Sequence, residues 1–214
     1  MESNLQSFVS YTAAPTALDA DGIAAAQQLA EAGNLLINGV LATGGIATFG
    51  EQQRVTLYSA GNLSALTFTV YGATTFGDSI SEDIAGPNNG TVTTTANFKT
   101  VSRVAVSGVV GTNVIVGNSN ALETPWIALN RDCPVKGISV VLSSGASLTY
   151  EVQYGTYPRL SNAETSVLAK ADSTLTAKSA SDSLAITIPW PMARLKITSF
   201  VSGTSTLRIL ESPA

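Results

Sequence analysis

Residues 54–58 read Arg54-Val55-Thr56-Leu57-Tyr58 and residues 66–71 read Leu66-Thr67-Phe68-Thr69-Val70-Tyr71. In both, apolar side chains return at every second position, the period of an extended chain with one face buried and one face wet. The stretch Val101-Ser102-Arg103-Val104-Ala105-Val106-Ser107 keeps the same alternation. Each reads as a half-buried antiparallel strand, with Thr on the outer face where its branched side chain suits the pleat. Between them stand turn-forming clusters: Ser59-Ala60-Gly61-Asn62, Gly86-Pro87-Asn88-Asn89-Gly90 and Ser107-Gly108. Strands repeating at so short a spacing predict a sandwich or a barrel.

Downstream, the polar run Gly117-Asn118-Ser119-Asn120 is the expected boundary, and a second strand series follows it. Its members are Gly137-Ile138-Ser139-Val140-Val141-Leu142, Leu148-Thr149-Tyr150-Glu151-Val152-Gln153-Tyr154, Ala193-Arg194-Leu195-Lys196-Ile197-Thr198 and Thr206-Leu207-Arg208-Ile209-Leu210. The alternation puts Arg194 and Lys196 together on one outward face. Residues 157–183 are rich in Ser, Ala and Thr and weakly periodic, which predicts either a long excursion of the kind that makes contacts or an edge strand with a loop.

Upstream, the first fifteen residues are polar and end at Pro15, as an extended arm would. Residues 22–33 (GIAAAQQLAEAG) predict the one helix, with a short turn before a strand as the alternative. Asp19 or Asp21 would cap it, Gly33 would stop it, and Ile23, Ala26, Leu29 and Ala30 would form a narrow apolar stripe. The expected fold is therefore all-β: two antiparallel β-sandwich or barrel-like domains with an N-terminal arm and one short helix. The arm and helix would take residues 1–33, the first β domain 34–118 and the second 119–214.

The chain has 214 residues, 44% hydrophobic and only 12% charged, where about a quarter charged is usual. A chain of this length buries roughly 70% of its unfolded surface and needs no disulfide or metal to fold. Its polarity comes from 24 Ser and 25 Thr, neutral hydroxyls that cost less to desolvate at an interface than ions do. The net charge of −4 argues against a nucleic-acid surface. Residues 1–118 carry −5 and the rest +1, so an acidic half faces solvent or a basic neighbour. Cys133 is the single cysteine, which removes disulfides and cysteine-based metal clusters. The opening residues lack the basic and apolar regions of a secretory signal. The longest apolar tract, residues 34–49, is broken by Gly39, Gly44 and Gly45 and predicts no membrane span.

Histidine is absent. Its absence removes the Ser-His-Asp triad, the Cys-His pair and His-ligated zinc, haem and iron sites together. A Ser-Lys arrangement would need an S-x-x-K opening a helix; Ser102-Arg103 and Lys178-Ser179 are ordinary strand and loop pairs. Two carboxylates suited to glycoside cleavage could come from Glu82 with Asp83 or Asp19 with Asp21. Neighbours in a strand point to opposite faces, however, and turn acids are the simpler reading of all four. Asp78, Glu82 and Asp83 could hold a calcium ion but follow no calcium-loop spacing. No phosphate-cradling glycine motif occurs, and the sequons at Asn62 and Asn89 have no export signal to make them meaningful. Trp126 and Trp190, each beside proline, read as rigid anchors rather than sugar platforms. Cys133, between Asp132 and Pro134, reads as a small turn residue. The sequence thus predicts no catalytic, cofactor-binding or metal-ligating residue and no enzyme.

A resemblance adds to this. The run from Arg54 to Asn62, continuing through Phe68-Thr69-Val70-Tyr71-Gly72, is followed by Ser81-Glu82-Asp83-Ile84-Ala85-Gly86-Pro87-Asn88-Asn89-Gly90-Thr91-Val92 and by Phe98-Lys99-Thr100-Val101. This order resembles virion structural proteins of tailed bacteriophages over residues 17–117. Residues 125–197, from Pro125-Trp126-Ile127 through Tyr150-Glu151-Val152 to Leu195-Lys196-Ile197, are similar to another small β module of phage particles. The resemblance implies a non-enzymatic protein made in the host cytoplasm and located in the virion, most like a capsid decoration or cement protein. The partners it implies are the major capsid protein or other virion proteins and further copies of the chain, with a trimer first, and neither nucleic acid nor membrane. A head–tail connector, tail-tube or fibre-associated protein ranks second. A receptor- or glycan-binding module ranks third and a depolymerase fourth.

Overall fold

The computed structural model describes residues 7–130, 133, 135–155, 170–186 and 190–212. Residues 1–6 of the expected arm, residues 156–169 of the Ser/Ala/Thr-rich stretch, Asp132, Pro134 and Pro189 lie outside the described residues. All regular structure among the described residues is strand, as expected of an all-β chain. The chain divides into two compact units, one of residues 15–122 and one of residues 1–14 with 123–214.

In the unit of residues 15–122 the strands are β2 (Ala24–Leu29), β3 (Gly33–Leu35), β4 (Ala42–Thr43), β5 (Ile46–Asn62), β6 (Thr67–Ala73), β7 (Ser79–Ala85), β8 (Asn88–Thr93), β9 (Phe98–Val106) and β10 (Val110–Glu123). Long β5 organises it. Its first half pairs with β9, at Ala47↔Val101 and Thr48↔Thr100, and its second half lies between β8 and β10, at Thr56↔Thr93 and Thr56↔Gly117. The register with β9 shifts between Thr48 and Gln53, an irregularity of the kind that bends a strand and turns a flat sheet into a curled one. β6 continues the sheet from β9 to β7, and β2 and β3 cover the flanks of β10 and β9. Phe49, Val55, Leu57, Phe68, Val70 and Phe98 fill the inside of the curl, all at 0–1% exposure. Burial of such a side chain contributes roughly 1.5–3 kcal/mol.

Two expectations change here. The expected helix is strand β2: Leu29 pairs with Val110, Gln27 with Val114 and Ala24 with Val116, and the Ile23 N–H donates to the Val116 carbonyl at 3.0 Å. An Ala-rich helix with a narrow stripe would bury little, whereas the extended chain seats Ile23 and Ala24 in the core and completes the edge of β10. Asp19 and Asp21 consequently cap no helix; the Asp21 N–H bonds to Asp19 Oδ1 in a local turn. The second change concerns residues 59–62, read as a turn, which continue β5 to Asn62.

The same unit is held by a close backbone crossing. A Cβ at Gly117 would lie 2.1 Å from the Asp19 carbonyl, and one at Gly39 would lie 2.2 Å from the Gly22 carbonyl carbon and oxygen. Gly at both positions is what lets two chain segments touch. Buried Asn118 then fastens residues 16–19: its Oδ1 accepts the Asp19 N–H at 2.9 Å and its Nδ2 donates to Ala17 O at 2.9 Å. The run from Gly117 to Asn120 therefore lies within β10, and its Asn118 is an internal fastener; the chain leaves this compact unit after Leu122.

The other unit contains β1 (Ser7–Ala13), β11 (Ile127–Ala128), β12 (Val135–Leu142), β13 (Ser147–Gly155), β14 (Lys170–Ala171), β15 (Asp182–Ile186), β16 (Met192–Ser202) and β17 (Ser205–Ser212). One antiparallel sheet has the order β1-β17-β12-β15, and β13 and β16 form the centre of a second, with β14 and β11 beside them. The sheets bury Ile138, Val140, Leu207 and Ile209 from one and Leu148, Tyr150, Val152, Leu195 and Ile197 from the other. The described part of the expected arm is thus β1, paired residue by residue with β17 from Ser7↔Glu211 to Ala13↔Ser205.

Candidate interaction surface

The acidic residues singled out by sequence are not brought together as a site. Glu82 and Asp83 alternate along β7 and lean to opposite faces. The Glu82 carboxylate accepts the Thr95 and Ala96 N–H groups at 2.8 and 2.7 Å, and Asp83 accepts the Thr69 hydroxyl at 2.6 Å. Among the described residues no group of three acidic or thiol side chains could hold a metal ion. Arg103 lies over the Tyr71 ring at 3.7 Å, and Lys178 pairs with Asp182 at 2.9 Å, so neither basic partner of the Ser-Arg and Lys-Ser pairs faces a serine nucleophile.

The aromatic anchors sit in a packed polar ladder. Trp126 is 7% exposed, with the Arg194 guanidinium 4.4 Å from its ring centroid. Arg194 also binds Glu123 at 2.7 Å and donates from Nε to Gln153 Oε1 at 2.8 Å. Lys196, on the same face, pairs with Glu151 at 3.1 Å. The two bases share a face as expected, yet both are committed to neighbours within the sheet. Trp190 stacks on buried Tyr154, with centroids 5.8 Å apart and planes 9° from parallel. Burial, followed by the charge of Asp172, pushes the Tyr154 hydroxyl pKa up. Cys133 is buried, and its carbonyl accepts Lys136 Nζ.

The outer face of the β1-β17-β12-β15 sheet is open. Register sets out two rows across its four strands. Phe8, Leu210, Gly137 and Ala185 form one, and Ser10, Arg208, Ser139 and Ser183 the next. Phe8 is 59% and Leu210 42% exposed, large values for apolar side chains within paired strands. A groove of about 480 Å³ crosses the face where Gly137 supplies no side chain. A Cβ there would meet nothing closer than Leu210 Cβ at 3.8 Å, so the notch is vacant space and not a packing necessity. Arg208 makes no ion pair among the described residues.

Sequence reasoning took Thr206-Leu207-Arg208-Ile209-Leu210 as a strand but missed this surface. The available signal was Leu210, which falls on the same face as Arg208 and makes the strand apolar on both sides.

No family model matches the chain, and no curated protein does. Among solved structures it is similar to the PBSX exported protein XepA, at 9% identity and a TM-score of 0.24 over 95% of this chain and 86% of that one. A protein of Parabacteroides distasonis described as secreted gives 10% identity and a TM-score of 0.24 over 97% and 89%. Likeness at this level carries no argument, and the reading of function rests on the chain's own residues. No helix among the described residues is long and apolar enough to cross a membrane.

Proposed function

We propose that this chain is a non-enzymatic structural protein of a phage particle, a decoration or cement protein bound to the outer capsid as a symmetric homo-oligomer, with a trimer as the expected form. The observation that carries the reading is the open sheet face of Phe8, Leu210 and Gly137, where apolar side chains stand exposed beside a groove. Exposed apolar patches of this kind mark contact surfaces. A low-charge surface supports the same reading, because few ions need desolvating when many copies pack together. The order of motifs over residues 17–117, which resembles that of virion structural proteins, supports the phage-particle reading.

A cement protein binds the assembled shell and not its dissociated subunits, so it stabilises the shell by mass action. Particles produced without this protein are expected to lose resistance to heat and osmotic shock, and to regain it when the purified protein is added back. Unchanged resistance would sink the cement role. Copy number on a stained gel separates the tail reading: hundreds of copies per particle accord with decoration, six to about a dozen with a connector or tail component.

A further inference from the structure

The groove has a counterpart elsewhere on the same chain. Between β6 and β7 the chain turns through Thr74-Thr75-Phe76-Gly77-Asp78, and Phe76 at the tip is 56% exposed. The tip is locked: Thr74 N donates to Asp78 O at 2.9 Å and Gly77 N to Thr74 O at 3.1 Å. The buried Thr74 hydroxyl accepts the Phe76 and Asp78 N–H groups at 3.2 and 3.3 Å. Gly77, at φ +87°, makes the turn. A large apolar side chain held outward on a fixed turn has lost little freedom left to lose on docking, which is how preorganised contacts gain affinity.

We propose that the chain self-associates head to tail, with Phe76 of one copy seated in the Gly137 notch of the next and Asp78 paired with Arg208. Three features carry it. The first is shape: the tip presents an aromatic knob, and the groove on the sheet face, open where Gly137 has no side chain and flanked by Phe8 and Leu210, has room for it. The second is charge: Arg208 stands among the hydroxyls of Ser10, Ser139 and Ser183 with no ion pair among the described residues, and exposed Asp78 is the carboxylate beside the knob. The third is spacing. Arg208 stands two residues from Leu210, the cross-strand partner of Gly137, about 6.8 Å along the strand. Phe76 and Asp78 are also two residues apart and span at most about 7 Å. Knob and socket differ, so the contact is heterologous; a rotation that closes gives a ring and one that does not gives a filament. The contact concerns the purified chain and stands whether or not it decorates a capsid.

The test is sedimentation of the full chain in low salt over about 1 to 100 µM. Wild type is expected to associate with concentration, and salt should weaken the association. Phe76→Ala, Gly137→Leu, Asp78→Arg and Arg208→Asp should each raise the dissociation constant at least about tenfold, with thermal melting showing that each variant remains folded. Mixing Asp78→Arg with Arg208→Asp should restore association, because each contact between unlike variants pairs opposite charges, and the double variant Asp78→Arg/Arg208→Asp should recover it alone by pairing the reversed charges. A wild type that stays monomeric overturns the proposal. So do single variants that associate as wild type does, or a double variant no better than either single.

Discussion

The Gln53 carboxamide holds Thr16 as a neighbouring strand would: its Oε1 accepts the Thr16 N–H at 3.0 Å and its Nε2 donates to the Thr16 carbonyl at 3.0 Å. Nε2 also reaches the Ser119 carbonyl at 2.7 Å, and the side chain is fully buried. One amide thus satisfies three backbone groups of two segments. Gln53→Ala should cost about 2–3 kcal/mol in urea unfolding, because those groups are left dry and unpartnered. Gln53→Glu keeps the acceptor but turns a carboxylate toward two carbonyls, so its defect should shrink as the pH falls and the carboxyl gains a proton. A loss below about 0.5 kcal/mol for Gln53→Ala would remove the staple.

Gly117 and Gly111 lie on the same strand and make opposite demands. Gly117→Ala drives a methyl into the Asp19 and Ala20 backbone and should destabilise by about 3 kcal/mol, at the upper end for overpacking. A Cβ at Gly111 meets nothing within 4 Å, so Gly111→Ala should stay within about 0.5 kcal/mol of wild type. Denaturant midpoints of the two variants, measured side by side, check the crossing.

Glu82 orders the stretch after β8 by accepting two successive N–H groups. Glu82→Ala should cost about 1–3 kcal/mol and speed amide exchange at Thr95 and Ala96 before it does so elsewhere. Equal protection of those two amides in variant and wild type would contradict this role.

Arg194 serves three partners at once, which a lysine cannot do with a single ammonium. Arg194→Lys should lower stability by about 1–2 kcal/mol. Arg194→Met should lower it more, since the Glu123 carboxylate, at 15% exposure, loses the Arg194 guanidinium. In a double-mutant cycle, adding Glu123→Gln to Arg194→Met should restore part of the loss.

Tyr150 gives the fold an alkaline limit. Its hydroxyl donates to the Ala180 carbonyl at 2.9 Å, and burial, followed by the charge of Asp182, pushes its pKa from 10.0 up to about 12. The unfolded chain ionises first, so this contribution is complete below pH 10 and is lost as the pH rises from 10 to about 12. Tyr154 shifts in the same direction. Urea midpoints followed from pH 9 to about 12 should fall more steeply for wild type than for Tyr150→Phe, which gives up one hydrogen bond, about 1 kcal/mol, at neutral pH.

The strands were legible because period two is written in side-chain chemistry: Val55, Leu57, Phe68 and Val70 are where the alternation puts them, inside. The helix over residues 22–33 failed because propensity is local, and Val110, Val114 and Val116, far along the chain, offered those residues an edge to pair with. The run from Gly117 to Asn120 reads as a boundary because Asn and Ser mark loops by composition. Here Asn118 is fully buried and bonded, and only the strand crossing above Gly117 shows why. Thr94 and Thr124 carry the same lesson: their hydroxyls accept the Val55 and Leu195 N–H groups at 2.9 and 3.0 Å, standing in for strand backbone. Abundant Ser, Thr, Asn and Gln, read first as surface, are in these cases interior carpentry. The open face escaped the sequence because it depends on β1 and β15 lying on either side of β17 and β12, a neighbourhood that no local window contains.

The pairing of β1 with β17 also sets an order of events during synthesis. Ser7–Ala13 leaves the ribosome roughly 190 residues before its partner strand, a wait of roughly 10–40 s at ~5–20 residues per second. The unit of residues 15–122 can close during that interval, while β1 waits for its template. Phe8 and Leu210 come from opposite ends of this delay, so the groove exists only on a chain translated through to β17. A ribosomal product that stops before β17 therefore lacks this groove, and β1 on such a product has no strand to pair with.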